Sequence, residues 1–286
     1  MSKNSLLKAI LVLFIIVLGA CAPKLRTEFV QKLPPLSPNE EVVLIGMDYA
    51  AVIPDSSQVG SLKITDSGLS VNCSYQENIA RLKQMSREAG ANLILITNHL
   101  HANNWSTCDR IWANIYAVQS PRDYEKEIDW TESRRLSWND FKGVVPELKS
   151  QEFVAETASE LEFQFRSGAF SSALTLDLQC RFITEKSWVR SDAANDYVLG
   201  HEQLHFDITE LYARMLRKRL QDAQLTSKDQ SKAAQMFNTI SEEHRLRQER
   251  YDRQTKHGLL KDQQKQWKAM ILLELAGLEY WKSKPL

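Results

Sequence analysis

The chain lacks an excess of charge of either sign: 36 Lys and Arg residues balance 36 Asp and Glu residues over 286 positions. This balance gives no support for a nucleic-acid-binding protein, because such proteins usually carry a clustered basic excess. Glycine and proline number only 10 and 8, and 43% of the residues are hydrophobic, which excludes collagen-like and wholly disordered chains. A GxxxxGK[ST] phosphate loop is also missing, which argues against a nucleotide hydrolase of that kind. The composition therefore indicates a globular protein of one large or two modest domains.

Residues 1–20 have the pattern of an export signal. Two lysines precede an unbroken apolar run, Leu11–Leu18, which is too short to span a bilayer comfortably. The run ends in Leu18-Gly19-Ala20-Cys21, which resembles a bacterial lipobox, where a lipid is attached to the cysteine thiol and cleavage occurs just before it. The alternative is an ordinary signal peptide. Lipidation at Cys21 would anchor the chain to a membrane of the cell envelope. The next residue is Ala22 rather than Asp, which by resemblance to Gram-negative lipoproteins predicts the outer membrane.

Three cysteines remain in the exported chain, and an oxidising compartment allows one disulfide. Cys73 and Cys108 flank one compact unit and are the natural pair. Cys180 lies on the apolar side of a strand pattern, which predicts a buried thiol. The alternative is that all three thiols are free.

The first half of the exported chain predicts a tether and a small domain. Residues 21–40 hold four prolines and little periodicity, as is typical of a tether. Residues 41–120 predict an α+β module of order ββαββ, with strands at Glu41–Met47, Val59–Ile64, Asn92–Thr97 and Ile111–Val118 and a helix at Tyr75–Ala89. This stretch resembles small bacterial envelope modules, some of them in surface-sensing lipoproteins, which implies a binding or scaffolding role. His99 and His101 lie near Cys108, which suits a metal site, and the alternative is a pair of solvated loop histidines.

The second half predicts a hairpin followed by three helices. Residues 121–132 are polar and indicate a linker, and residues 133–286 form the second domain. Apolar and polar residues alternate on both sides of Ser167-Gly168, which predicts an antiparallel hairpin with one buried face. Helical patterns follow at about 193–222, 227–258 and 261–282. The expected fold class is therefore α+β in both domains.

The first of these helices carries an HExxH motif, His201-Glu202-Gln203-Leu204-His205. Residues four apart lie one above the other on a helix, so the two imidazoles can share one cation, for which Zn²⁺ is well suited. Glu202 lies about 100° round the helix, from where it can act as general base on a water in the open coordination position. A sheet that leads into an HExxH helix is the order found in zincin-type metalloproteases. The alternative is a helix whose histidines only pack or form hydrogen bonds.

A zinc enzyme needs a third protein ligand, and the extended HExxHxxGxxH pattern is absent. On the same helix Asp207 and Glu210 point away from the metal face, and Tyr212 lies near it but is equally consistent with a core position. The next helix offers four candidates. We rank His257 first because it precedes Gly258 at the helix end, Glu249 or Asp252 second, and His244, on an apolar stripe, third.

Four segments together resemble a bacterial family of predicted secreted zinc-dependent proteases, domain of unknown function 922. They are LSWNDFKG, KSWV, HEQLHFDITELYARMLRKRL and ERYDRQTKHG, and the resemblance covers residues 130–260. It implies His201 and His205 as zinc ligands and Glu202 as base. Its YDxxTxHG segment, Tyr251 to Gly258, favours His257 as the third ligand.

The sequence therefore predicts a lipid-anchored zinc metallopeptidase of the cell envelope that acts on peptide or protein substrates and binds no nucleic acid. Zinc-bound water would be deprotonated by Glu202 and would attack the peptide carbonyl. Two alternatives stay open. The protein is a non-catalytic envelope scaffold or sensor with a structural metal or none, or it is an amidase that acts on cell-wall peptides.

Overall fold

The computed structural model describes residues 23–46, 53–66, 73–101, 106, 108–167, 174–226 and 228–282. The expected signal peptide and Cys21 lie outside these residues. The chain divides into two compact units, unit 1 up to Tyr124 and unit 2 from Glu125. Both combine sheets with helices, so the α+β class is confirmed. None of the described helices is both long and apolar enough to cross a membrane.

The described part of unit 1 is a mixed five-stranded sheet with one α-helix. In chain order its elements are β1 (Lys24–Phe29), β2 (Val43–Ile45), β3 (Gln58–Thr65), α1 (Tyr75–Glu88), β4 (Leu93–Leu100) and β5 (Arg110–Tyr116). The sheet order is β1-β3-β5-β4-β2, and only β2 and β4 pair in parallel. Helix α1 begins with a capping box between Ser74 and Glu77 and stops before Gly90, whose φ of 77° suits a glycine.

The first strand differs from the sequence expectation, which assigned residues 21–40 to a tether. Lys24–Phe29 pairs with β3 along six residues, so the sheet has one strand more than the predicted ββαββ order. All six residues of β1 are exposed, so the sequence shows no buried apolar face that would distinguish this strand from a tether. Further along, Leu33 and Leu36 pack against the core of unit 1, and the amide of Leu36 donates to the carbonyl of Arg87 at 2.9 Å.

The cysteine predictions are confirmed. Cys73 and Cys108 form a disulfide that joins the start of α1 to the start of β5. Cys180 is a buried free thiol in the core of unit 2, and burial raises its pKa well above the usual range.

Unit 2 contains the predicted hairpin and the three predicted helices. Its strands are β6 (Glu127–Asp129), β7 (Ala155–Glu156), β8 (Ser159–Ser167), β9 (Leu174–Ile183) and β10 (Trp188–Val189), and its helices are α2 (Asp196–Asp222), α3 (Gln230–Thr255) and α4 (Lys261–Gly277). Strands β8 and β9 form the hairpin, β6 adds to it in the order β6-β9-β8, and β7 pairs with β10. Strand β6 lies inside the segment expected to be a linker, because Ile128 is buried against the hairpin.

Helix α2 lies at the centre of unit 2 and contacts β8, β9, α3 and α4. Its apolar residues, including Phe206, Ile208 and Leu216, are fully buried in one core. The acid Asp207 is also buried, and it accepts hydrogen bonds from Trp130 Nε1 at 2.8 Å and from the guanidinium of Arg135. These contacts satisfy the carboxylate and fix the rotation of α2, which decides where its two histidines point.

Candidate metal centre

The HExxH motif lies in the second and third turns of α2. Asn195 directly precedes α2, and its side chain accepts hydrogen bonds from the amides of Tyr197 and Val198. The helix places His201 and His205 on one face, with their Nε2 atoms 3.2 Å apart and their ring planes at 89°. Both nitrogens therefore point to one place, as the i, i+4 spacing predicts.

The third donor comes from α3. Asp252 Oδ1 lies 3.2 Å from His201 Nε2 and 3.0 Å from His205 Nε2, so the three atoms form a nearly equilateral triangle. Ligand bonds of about 2.0–2.1 Å at tetrahedral angles require donor atoms about 3.3 Å apart, so the triangle has the size of one face of a zinc site. His201, His205 and Asp252 are one of two groups of potential metal ligands among the described residues.

The outer nitrogens of both imidazoles are occupied. His201 Nδ1 lies 2.7 Å from the Tyr251 hydroxyl and 3.0 Å from Gln264 Oε1. His205 Nδ1 lies 2.7 Å from Gln248 Oε1, and the amide nitrogen of Gln248 donates to the backbone carbonyl of His205, which fixes the orientation of that amide. These acceptors place the ring protons on Nδ1 and leave the Nε2 lone pairs facing Asp252.

Three acceptor atoms thus face one another across the centre. Asp252 Oδ1 is buried, and apart from the two imidazole nitrogens that face it no hydrogen-bond donor among the described residues reaches it. Glu202 Oε2, on the neighbouring helical position, is likewise buried and without a hydrogen-bond partner in the part of the chain described. Converging acceptors of this kind repel one another unless a cation lies between them, so the donor set fits a metal ion.

Without a metal, a proton takes this place. Burial alone lowers the pKa of His205, but the hydrogen bond and charge of Asp252 outweigh burial and raise that pKa to about 9. Burial alone raises the pKa of Asp252, but the two imidazoles that face it hold the pKa well below its usual range. Both shifts arise from one interaction, the attraction between the Asp252 carboxylate and a positive charge at the imidazoles.

The end of α3 brings the backbone close to His201. Lys256, His257 and Gly258 all have positive φ, which ends the helix, and the Tyr197 hydroxyl donates to the carbonyl of Gly258. A Cβ on Gly258 would lie 3.3 Å from Cγ and Nδ1 of His201. Only glycine therefore fits both the backbone conformation and the close approach to the ring.

His257 was the candidate ranked first for the third ligand, but its side chain is not among the three that converge. The His257 side chain is 52% exposed and its Nδ1 lies 3.6 Å from Asp252 Oδ1. Its ring contacts the ring of Phe153 edge to face. Glu249 is exposed and pairs with Arg245.

The third-ranked candidate, His244, lies behind the centre. Its Nε2 contacts Thr209 Oγ1 at 3.0 Å and Gln248 Nε2 at 2.9 Å, and its ring packs on Tyr212. Burial, and then the charge of His205, lower its pKa to about 4. Of the four candidates the structure thus brings Asp252, ranked second, to both histidines.

Sequence reasoning missed three residues that hold the imidazoles. Tyr251 lies within the YDxxTxHG segment, so the motif itself was a signal for it. Gln248 lies one helical turn before Asp252, a spacing that could have marked it as a neighbour. Gln264 comes from α4, and nothing in the sequence pattern connects it to His201.

Residues 153–157, which include the two-residue strand β7, run beside the centre. Phe153 contacts His257 with ring centroids 4.8 Å apart, and the hydroxyl of Thr157 donates to the backbone carbonyl of Glu202 at 3.2 Å. Strand β7 lies between these two contacts and pairs with β10.

Comparison with known families gives one match. A family model described as bacterial protein of unknown function (DUF922) matches residues 150–258. The match supports the family resemblance. It begins just before β7 and ends at Gly258, so it contains all three converging donors and Glu202 but leaves out unit 1 and α4. Neither the curated proteins nor the solved structures contain a match to this chain.

Proposed function

We propose that unit 2 is a zinc-dependent peptidase of zincin type, with His201, His205 and Asp252 as metal ligands and Glu202 as general base. One observation carries this proposal: three acceptor atoms converge at 3.0–3.2 Å while the outer ring nitrogens already have partners. The antiparallel hairpin that precedes the HExxH helix supports the zincin type. Two histidines and one carboxylate leave one coordination position open, as catalytic zinc sites require.

The chain's own side chains account for the proton transfers of peptide hydrolysis. A zinc ion bound at this centre would supply Lewis-acid polarisation of water and of the substrate carbonyl. Glu202 accepts the proton of the attacking water on its unpartnered Oε2 and returns it to the leaving amine, so that water and a peptide bond become a carboxylate and an amine. Tyr251 and Gln248 keep both imidazoles in the tautomer that binds metal.

The segment beside the centre supports a peptide as the substrate. A substrate chain bound in extended form would run along residues 153–157. At one end of this segment Phe153 contacts His257, and at the other end Thr157 contacts the backbone of Glu202. The lipobox pattern at Cys21 supports a place on the envelope membrane, where proteins and peptides of the envelope are the available substrates.

The test compares the chain with Glu202→Gln for zinc content and for cleavage of a library of unstructured peptides. We expect about one zinc at unit 2 in both, and cleavage only in the unchanged chain, because the variant loses the base and keeps all three ligands. Glu249→Gln is the matched control, since it removes an exposed acid of α3 and should change neither readout.

Cleavage by Glu202→Gln at the unchanged rate would refute the role of the base. Zinc at this centre without cleavage of any peptide, protein or cell-wall peptide would instead support the alternative of a non-catalytic envelope scaffold or sensor.

A further inference from the structure

The sheet of unit 1 brings a second set of donors together where β4 ends and β5 begins. The two strands are antiparallel, with His99 opposite Ile111 and Leu100 opposite Arg110. Side chains alternate along a strand, so His101 and Asp109 project on the same face as His99 and Ile111. The register therefore brings two imidazoles together with a carboxylate that lies ten and eight positions further along the sequence.

These three side chains converge on one carboxylate oxygen. His99 Nε2 lies 2.9 Å and His101 Nδ1 3.3 Å from Asp109 Oδ1, and the two ring centroids are 4.2 Å apart. One ligand atom from each lies within 4.8 Å of the others. The side chain of Asp109 is 2% exposed and that of His101 is 63% exposed, so the group is anchored inside and open to solvent on one side.

The inner two members of the group are held rigidly. The amide of Asp109 donates to the carbonyl of Cys73, and Asn78 Nδ2 donates to the carbonyl of Asp109 at 2.8 Å. The ring of Tyr75, at the start of α1, stacks on His99 with centroids 4.8 Å apart. The disulfide joins the same two chain segments. Little ordering is therefore left for a ligand to impose.

We propose that His99, His101 and Asp109 form a second metal site, separate from the HExxH centre, for a divalent transition cation of the zinc class. Imidazole with one carboxylate favours zinc, copper or nickel, whereas magnesium and calcium prefer oxygen ligands alone. Among the described residues only these three donors converge there and His101 is exposed, so the bound ion exchanges with the surroundings. Unit 1 is thus a module that binds a metal ion exchangeably.

The test measures binding of Zn²⁺ alone by equilibrium dialysis on the chain carrying His201→Ala and His205→Ala, which silences the centre in unit 2. We expect one zinc per chain in this background. Adding His101→Ala should weaken binding by at least about tenfold, since losing a ligand costs no less than losing a supporting contact. Adding Asn98→Ala, an exposed neighbour on β4, should leave binding unchanged.

The proposal is overturned if this background binds no zinc, or if His101→Ala binds as tightly as Asn98→Ala. Circular dichroism confirms folding of each variant. If the silenced chain does not fold, the same two variants in the unchanged chain decide the question, because only His101→Ala should lower the zinc content by one. Displacement of the zinc by magnesium at equal concentration would refute the assignment to the zinc class. None of these outcomes depends on catalysis by unit 2.

Discussion

Two glycines beside His201 should respond in opposite directions to the same substitution. Gly258→Ala places a methyl group 3.3 Å from the His201 ring at a φ of +81°. The left-handed conformation alone costs about 1–2 kcal/mol for an alanine. For a domain of 150–250 residues this lowers the melting temperature by roughly 2–8 °C.

The same methyl group must also shift the His201 ring by a few tenths of an ångström, which disturbs its hydrogen bonds with Tyr251 and Gln264. Displacing the support of a metal-binding histidine typically weakens metal affinity by about 10–100-fold. We therefore expect Gly258→Ala to bind zinc about that much more weakly at unit 2, measured by competition with a chromophoric chelator.

Gly200→Ala is the matched control, because Gly200 precedes His201 in the chain and, apart from its chain neighbours and the backbone of its own helix, nothing lies within 4 Å of the added methyl group. It lies on an exposed turn of α2, where alanine stabilises a helix by about 0.5–1 kcal/mol relative to glycine. We expect a slightly higher melting temperature and unchanged zinc affinity. If Gly258→Ala melts and binds zinc like the unchanged chain, the argument from the close approach is wrong.

Three further predictions concern the ligands, pH and the disulfide. Asp252→Asn should weaken zinc binding more than about 100-fold in unit 2 whereas His257→Ala keeps the zinc, and equal losses in both would contradict the assignment of the third ligand. The raised pKa of His205 stabilises the metal-free fold below pH 6.5, and this stability is lost as the pH rises through about 9, by as much as about 3 kcal/mol. Urea unfolding in the presence of a chelator at pH 6.5 and 9 measures this difference in the free energy of unfolding. If His205→Gln shows the same difference between the two pH values as the unchanged chain, the prediction is wrong. Reducing Cys73–Cys108, which closes a loop with a sequence separation of 35, should destabilise unit 1 by roughly 4 kcal/mol in urea unfolding.

The sequence predicted best the features that are local in the chain. The alternation on both sides of Ser167-Gly168 predicted the β8–β9 hairpin, since period two marks a sheet with one buried face. The i, i+4 spacing of His201 and His205 likewise predicted that their rings would meet.

Features that depend on packing between distant segments were harder to predict. Strand β1 buries none of its residues, so its sequence does not distinguish it from an exposed tether. The choice between His257 and Asp252 depended on the rotation of α3 at its C-terminal end, where three residues adopt positive φ. The spacing of residues within one helix does not determine that rotation. It also does not predict the contact of Gln264 with His201, because Gln264 lies on a different helix, α4.

The pairing of β1 with β3 also changes how far the protein could stand from a lipid surface. A free segment of twenty residues would let the folded part move as much as about 70 Å from an anchor at Cys21, at 3.3–3.6 Å per residue. The ladder begins at Lys24, only three residues after Cys21, which limits the span to about 10 Å. A lipid on Cys21 would therefore hold the edge of the unit 1 sheet, strand β1, close to the lipid headgroups.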